Sequence, residues 1–159
     1  MALMHPLRSR ACSPHEFTTS PPPILTVASI LLIGADAALL EGIAQSLASA
    51  GHQVLTAASL AEASFISAAA PPLLAVVDRA LLMNAPDVRG LGLAPGGAVV
   101  VYGDPAAPLP GPMRRAVLAE LRLPLERGRL AALAAHVGAR AEDTGRGAAV
   151  TPPESRPAP

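Results

Sequence analysis

The sequence predicts one α/β domain built on a doubly wound, five-stranded parallel sheet in the order 2-1-3-4-5. Short apolar runs alternate with amphipathic segments, a pattern typical of a parallel sheet covered by helices on both faces. Apolar residues make up 51% of the 159 residues, which is enough for an aliphatic core. Nine of the 18 prolines lie in residues 1–23 and 143–159. We therefore expect a domain over residues 24–142, between a disordered leader and a disordered, proline-rich tail.

The first half of the domain alternates strand and helix. The run SILLIG, from Ser29 to Gly34, is short and apolar and predicts a buried strand. Residues 37–50 carry aliphatic side chains one helical turn apart and predict an amphipathic helix. A second strand is predicted over residues 53–57. Ser59 and Glu62 have the spacing of a capping box, which predicts a second helix that stops before the next pair of prolines.

The second half holds three further strands and weaker helical signals. The apolar runs from Leu73 to Asp78 and from Ala98 to Gly103 predict the third and fourth strands. The glycines and prolines of residues 84–97 predict a short or irregular crossover between them. The remaining predicted elements are a short helix from Met113 to Leu118, a weaker strand from Glu120 to Leu123 and a last helix from Glu126 to Arg140.

Five strands in about 120 residues, joined by right-handed crossovers, fit a flavodoxin-like fold. Ligands of such sheets bind beyond the carboxyl ends of the strands. Small-molecule chemistry is therefore expected among the residues that follow these ends. These residues are Gly34, Ala35, Asp36, Asp78, Gly103, Asp104, Leu123 and Pro124.

The composition excludes several classes of function. All 12 basic residues are arginine, so Schiff-base chemistry and P-loop phosphate binding, which need a lysine, are excluded. Cys12 is the only cysteine, which excludes an intrachain disulfide and a thiolate metal cluster. A net charge of zero argues against a general nucleic-acid binder. The sequence shows no export signal and no apolar stretch of the ~20 residues that span a membrane, so we expect a cytoplasmic protein.

Residues 28–140 resemble the receiver domain of bacterial response regulators, the CheY-like family. The segment ILLIGADAALLEGIAQSLASAGHQVLTAASLAEA resembles the family's first strand, first helix, second strand and the start of its second helix. The segment PPLLAVVD resembles the third strand, which in the family ends in the phospho-accepting aspartate. The resemblance assigns that position to Asp78, and it matches Pro124 to the proline that follows the family's fifth strand.

The positions that carry the family's phosphoryl chemistry differ in this chain. The resemblance puts Gly34 and Ala35 where the family has the acidic pair that holds magnesium, with Asp36 one position further on. It puts Gly103 where the family has a serine or threonine at the end of the fourth strand. It puts Leu123 where the family has a lysine, and the chain contains no lysine at all.

These differences predict a degenerate receiver that acts as a protein-interaction module and not as an enzyme. Phosphoryl transfer to a carboxylate needs a divalent cation and a fixed positive charge. Asp78 alone is a poor magnesium site, so no cofactor is expected.

Three alternatives stay open. The first is a working single-domain response regulator phosphorylated on Asp78 with the help of magnesium. The second is a small nucleotide- or flavin-binding protein that uses the same strand-end crevice. Asp36 is expected to cap the first helix, but a metal site formed by Asp36, Asp78 and Asp104 is the third alternative.

Charge is polarised along the chain. Residues 24–104 carry two arginines and six acidic residues, whereas residues 114–140 carry six arginines and two acidic residues. In the receiver resemblance the basic segment covers the fourth helix, fifth strand and fifth helix, the face on which receivers dimerise or dock. The resemblance implies a signalling partner such as a histidine kinase or a regulator, or a second copy of the chain; the alternative is a solvated surface. The residues of this candidate partner face are Arg114, Arg115, Arg122, Arg127 and Arg129.

Overall fold

The computed structural model describes residues 27–84 and 90–148, which form a five-stranded sheet with helices on both faces. Neighbouring strands all pair in parallel, in the order 2-1-3-4-5. The fold class and strand order predicted from the sequence are therefore confirmed. The strands are β1 (Ser29–Ile33), β2 (Gln53–Ala57), β3 (Leu74–Asp78), β4 (Ala98–Tyr102) and β5 (Val117–Leu121).

The helices divide between the two faces of the sheet. They are α1 (Ala37–Ser49), α2 (Leu60–Ala69), α3 (Arg79–Asn84), α4 (Gly111–Ala116) and α5 (Arg127–Ala148). One core lies between the sheet and the pair α1 and α5, with Leu40 and Leu130 among its buried side chains. The second core lies under α2, α3 and α4, with Leu82 and Met113 among its buried side chains. Because both faces are covered, β1 and β3 are almost completely buried.

The first two helices begin where their capping residues predict. Asp36 is the N-cap of α1 and accepts a hydrogen bond of 3.0 Å from the backbone N–H of Leu39. Ser59 Oγ accepts from the N–H of Glu62 at 3.2 Å, and the Glu62 carboxylate accepts from the N–H of Ala58 at 2.8 Å. The expected N-cap and capping box are thereby confirmed. Each cap contributes about 1 kcal/mol and fixes the point at which the chain turns into its helix.

Three elements of the second half differ from the sequence-based prediction. Helix α4 and strand β5 begin at Gly111 and Val117, earlier than the predicted starts at Met113 and Glu120. Along β5 the side chains alternate between more buried and exposed, a period of two that identifies an edge strand. Helix α3 was not predicted, because the glycines and prolines that follow it dominate this part of the sequence. Residues 90–97 contain no helix, as the predicted irregular crossover requires.

The last helix is longer than predicted. Helix α5 continues to Ala148, eight residues beyond the predicted end at Arg140. The first residues of the predicted tail over 143–159 therefore belong to α5. The rest of that tail and the predicted leader over 1–23 lie outside the described residues. Among the helices that the structure describes, none is both long enough and apolar enough to cross a bilayer.

Candidate functional site

The carboxyl ends of the parallel strands meet along one edge of the sheet. Strand β3 ends at Asp78, which pairs in register with Tyr102 at the end of β4. Tyr102 in turn pairs with Leu121 at the end of β5. Strand β1 lies on the other side of β3, so Gly34 also reaches this edge. The strand-end residues named from the sequence are therefore brought to one edge, as the fold class requires.

Tyr102, and not Gly103, ends the fourth strand. The sequence assigned this position to Gly103, but β4 covers Ala98–Tyr102, because a glycine at the end of an apolar run can begin the turn instead of ending the strand. Gly103 has a φ of 131°, a conformation that favours glycine. A Cβ atom at Gly103 would also lie only 3.2 Å from the Cβ atom of Arg79. Because Gly103 has no side chain, Arg79 has room beside it. The residue at the end of β4, next to Asp78, is Tyr102.

Tyr102 fills the space, at the ends of β1 and β4, that a side chain at position 34 would occupy. A Cβ atom built on Gly34 would overlap the Tyr102 Oη atom and would lie 3.3 Å from Cζ. Tyr102 is 4% exposed and belongs to the core under α1 and α5, so its ring has little freedom to move away. The tyrosine hydroxyl therefore fills the volume into which any side chain at position 34 would extend.

The Tyr102 hydroxyl is held in its protonated form. Burial raises the pKa of Tyr102 above its ordinary value of about 10, and the nearby charges of Asp78 and Asp36 raise it further. The hydroxyl donates a long hydrogen bond of 3.5 Å to the carbonyl oxygen of Ile33. A neutral hydroxyl, and not a carboxylate, thus reaches from the end of β4 past β3 to the end of β1.

Each aspartate at this edge accepts a hydrogen bond from a backbone N–H group two or three residues further along the chain. Asp36 caps α1, Asp78 Oδ1 accepts from the N–H of Ala80 at 2.9 Å, and Asp104 Oδ1 accepts from the N–H of Ala106 at 2.9 Å. Within residues 27–84 and 90–148, no three histidine, cysteine, aspartate or glutamate side chains are grouped so that they could hold a metal ion. The described structure therefore gives no support to a metal site built from these three aspartates.

The residues at this edge do not fit the magnesium ion that the receiver resemblance implies. Magnesium is held by oxygen ligands, usually including one or two carboxylates. Gly34 and Ala35 supply none, and the hydroxyl of Tyr102 fills the space beside Gly34. Asp78 supplies one carboxylate, of which one oxygen already accepts a backbone hydrogen bond. Leu123, at the family's lysine position, packs against the apolar core; its peptide bond to the next residue, Pro124, is cis.

A buried arginine spans the other half of the same edge. Arg79 follows Asp78 directly and is 4% exposed. Its guanidinium forms an ion pair with Glu120 of β5 and donates to the carbonyl oxygen of Ala107 in the loop between β4 and α4. Its Nε atom is buried and has no hydrogen-bond partner among the described residues. Arg79 therefore connects the end of β3 to both β5 and the loop after β4, and we call this set of contacts the Arg79 bridge.

Sequence reasoning missed the Arg79 bridge. The two partners of the arginine are 28 and 41 residues away in the chain, so no local pattern links them. The available signal was a charged residue placed immediately after a fully apolar strand. Such a residue must either turn to solvent or find a partner, because burying an unpaired charge is costly.

A cavity of about 490 Å³ opens beside the Arg79 bridge. Its lining carries both signs of charge, from Arg79, Arg122 and Arg129 and from Glu120 and Glu126. The N–H of Arg122 donates to the Glu126 carboxylate at 2.6 Å and Arg129 donates to it at 3.2 Å. These two hydrogen bonds, the first being the stronger influence, lower the pKa of Glu126. The carboxylates thus offset much of the positive charge of this cavity.

The five arginines of the predicted partner face are exposed, and those that line cavities are distributed among three of them. Arg122 and Arg129 line the cavity at the carboxyl edge. Arg127 lies in a separate groove against α1. Arg114 and Arg115 lie in the last turn of α4, and Arg115 lines a third groove beside β5. Four of the five arginines named from the sequence therefore line three different cavities.

The groove beside β5 is the most uniformly basic of these sites. It has a volume of about 530 Å³ and runs between α4 and α5 across the start of β5. Arg115, His136 and Arg140 supply its ionisable side chains, and no acidic residue lines it. Leu118, 46% exposed, adds an apolar contact. We call this site, defined by these four residues, the basic groove.

The sheet order and flanking helices give the chain the fold of response regulator receiver domains, the CheY-like class. A putative response regulator from Chloroflexus aurantiacus is 23% identical, with a TM-score of 0.59, over 72% of this chain and 99% of that chain. A CheY-like receiver domain protein from Methanospirillum hungatei is 22% identical, with a TM-score of 0.57, over 74% and 98%. A receiver domain protein from Clostridium thermocellum is 21% identical, with a TM-score of 0.54, over 74% and 99%. No protein-family model and no curated protein matches the sequence.

Proposed function

We propose that the domain is a degenerate receiver that serves as a non-enzymatic protein-interaction module in cytoplasmic two-component signalling, without a metal cofactor. The observation that carries this proposal is the overlap between a side chain at position 34 and the Tyr102 hydroxyl. Because this hydroxyl fills the space beside Gly34, the acidic pair is replaced by packing. Asp78 is thus left without the cation and the fixed positive charge that phosphoryl transfer needs.

The Arg79 bridge supports the proposal that the interaction surface keeps a single conformation and does not switch between two. A switch needs an element that can take two alternative positions. Arg79 joins β3, β5 and the loop before α4 through a buried guanidinium, with no phosphoryl group involved. Opening this bridge would leave a buried cation unpaired, which is costly. The α4–β5 side of the domain is therefore held in place whether or not Asp78 is modified.

The residues of the basic groove support the proposal that the partner presents an acidic surface. Arginine side chains bind carboxylates through two parallel hydrogen bonds, so Arg115 and Arg140 favour aspartate- or glutamate-rich surfaces. Leu118 offers the apolar contact that commonly accompanies such pairs at an interface. A histidine kinase or another regulator with an acidic face would meet these requirements.

Phosphorylation is the first test of this proposal. The full chain is incubated with acetyl phosphate and magnesium, and the intact mass is measured. We expect no magnesium-dependent acyl phosphate, and the Asp78→Asn variant should give the same result as the wild type. Stoichiometric labelling that disappears in Asp78→Asn would overturn the proposal and favour a working response regulator.

Partner binding is the second test. The tagged full chain is used to capture proteins from extracts of its native cell. Arg115→Gln/Arg140→Gln should lose the captured partners, whereas Asp78→Asn should keep them, because the proposed contact does not depend on the phospho-acceptor position. Loss of the partners in Asp78→Asn, with the basic groove intact, would contradict a phosphorylation-independent module.

A further inference from the structure

A second groove, of opposite charge, crosses the other edge of the sheet. It has a volume of about 560 Å³ and lies over β2, between α1 and α2. Glu41 of α1 and Glu62 of α2 line it together with Val54 and Thr56 of β2. No basic residue lines it, and the sequence from residue 27 to residue 78 contains no arginine or lysine. We call this site the acidic groove.

The two grooves match each other in several respects. Strands β2 and β5 are the two edge strands of the sheet, so the grooves lie on opposite sides of the molecule. Their volumes are similar, about 560 and 530 Å³. Leu118 of β5, 46% exposed, adds apolar surface to the basic groove, whereas Leu55 of β2, 48% exposed, lines a separate cavity and not the acidic groove. The two grooves therefore match in volume and in the opposite sign of their charge.

We propose that the occupant of the basic groove is a second copy of this chain, bound through its acidic groove in a head-to-tail contact. The proposal rests on the proposed function, because it names the partner of the same basic groove. Contacts between two basic grooves or between two acidic grooves are disfavoured by like charges, whereas a basic groove against an acidic one is favoured. Such a contact is heterologous, so every added copy leaves one groove of each kind free and the assembly can grow.

The contact must depend on salt. Both sets of charged side chains are exposed, and exposed charges are screened over about 8 Å at physiological ionic strength. The weight-average mass of the wild type should therefore rise with protein concentration at low salt and return to that of the monomer at high salt. Sedimentation measures both effects on the full chain.

Two double variants, each of which removes the charge of one groove, test the two grooves separately. Arg115→Gln/Arg140→Gln removes the charge of the basic groove, and Glu41→Gln/Glu62→Gln removes that of the acidic groove. Glutamine can replace Glu62 in the capping box, so the start of α2 is preserved. Each variant alone should be monomeric at low salt, with an unchanged circular dichroism spectrum.

An equimolar mixture of the two variants gives the decisive result. The first keeps an intact acidic groove and the second an intact basic groove, so the mixture should form a one-to-one dimer and nothing larger. A monomeric mixture, or a wild type that stays monomeric at low salt, would overturn the head-to-tail contact. If only the basic-groove variant loses self-association, the contact is symmetric and the proposal is also wrong. If the wild type is monomeric but still captures a cellular partner through Arg115 and Arg140, the proposed function stands and this inference alone fails.

Discussion

The two halves of the carboxyl edge differ in how they are closed. Between β1 and β4 the space is filled by packing, with the ring of Tyr102 set against the missing side chain of Gly34. Between β3 and β5 the space is crossed by the charged Arg79 bridge, whose glutamate is 45% exposed. The contact between Gly34 and Tyr102 is buried and depends on shape, whereas the ion pair of Arg79 and Glu120 is partly exposed to solvent and depends on charge. Two independent physical means, shape and charge, therefore close the same edge of the sheet.

This difference matters for what each half can still do. The buried ring leaves no room for a ligand group between Gly34 and Tyr102, because protein interiors have little free volume, although the outer side of Gly34 lines the acidic groove. The half that holds the Arg79 bridge leaves a cavity of about 490 Å³ lined by charged side chains. The free energy of unfolding is therefore expected to fall when volume is added at the packed half. At the charged half it is expected to fall when one member of the Arg79–Glu120 ion pair is removed.

The largest effect is expected from added volume at the packed half. Gly34→Ala should lower the free energy of unfolding by about 3 kcal/mol, the upper end for overpacking against a rigid neighbour. Tyr102→Phe should remove most of this cost, since the overlapping Oη atom is lost and the next atom, Cζ, is 3.3 Å away. A denaturant-based double-mutant cycle measures the coupling.

Gly42→Ala is the matched control for that cycle. Gly42 lies in α1 with no atom within 4 Å of an added Cβ, so the substitution should stabilise the helix by about 1 kcal/mol. Equal effects of alanine at positions 34 and 42 would show that Tyr102 does not restrict Gly34.

A smaller loss is expected at the Arg79 bridge. Glu120→Gln keeps the shape but removes the charge that faces Arg79, and should cost about 1–2 kcal/mol, less than for a fully buried pair because Glu120 is half exposed. Arg79→Met/Glu120→Gln should be closer to the wild type in the same denaturation assay, because it leaves no buried cation. If Glu120→Gln is as stable as the wild type, the bridge does not stabilise the fold.

The buried hydroxyl of Tyr102 predicts a pH effect at the alkaline end. The pKa of Tyr102 is raised in the folded state, so the folded protein keeps this proton after the unfolded chain has lost it. The contribution of Tyr102 to stability should therefore be constant below about pH 10 and should be lost as the pH rises beyond it. The chain has one tyrosine and no tryptophan, so near-ultraviolet absorbance follows Tyr102 alone. Ionisation of the folded protein near pH 10 would show that water reaches the hydroxyl.

The smallest effect is expected at the exposed pair of Arg129 and Glu126. Both side chains are solvent-accessible, and their contact of 3.2 Å joins Arg129 of α5 to Glu126, three positions earlier in the turn before that helix. Arg129→Gln should leave the denaturation midpoint unchanged within error. The pKa of Glu126, followed by NMR, should stay below its ordinary value because the backbone N–H of Arg122 still donates to it. A clear loss of stability would place Arg129 in a larger network than the described residues contain.

Local signals in the sequence predicted the first half of the fold closely. The start of α1 at Asp36 and the start of α2 at Ser59 follow from side chains that bond their own backbone. Strand β5 was misplaced because its residues alternate in exposure and one of them, Leu118, faces solvent. A short edge strand of this kind gives a weaker apolar run than a central strand.

The sequence predicted which residues stand at the strand ends of the candidate site, but not the side chains that fill the space beside them. The absence of an acidic pair at Gly34 and Ala35 was readable from the sequence, because the resemblance assigns those positions. The Tyr102 hydroxyl at Gly34 was not, since the contact depends on the register of three strands. Arg79 was missed for the same reason, because its partners are distant in the chain and close only after folding.

The overlap between position 34 and Tyr102 also dictates an order of substitution over evolutionary time. No carboxylate fits at position 34 while Tyr102 is present, and loss of the hydroxyl alone leaves Cζ 3.3 Å from an added Cβ, so a side chain larger than alanine requires residue 102 to become small first. That intermediate would lose a ring from the core, at a cost of about 3–5 kcal/mol, which is a large fraction of the stability of an ordinary domain. A route by substitution to a carboxylate at position 34 therefore passes through a fragile protein, and the overlap opposes that route.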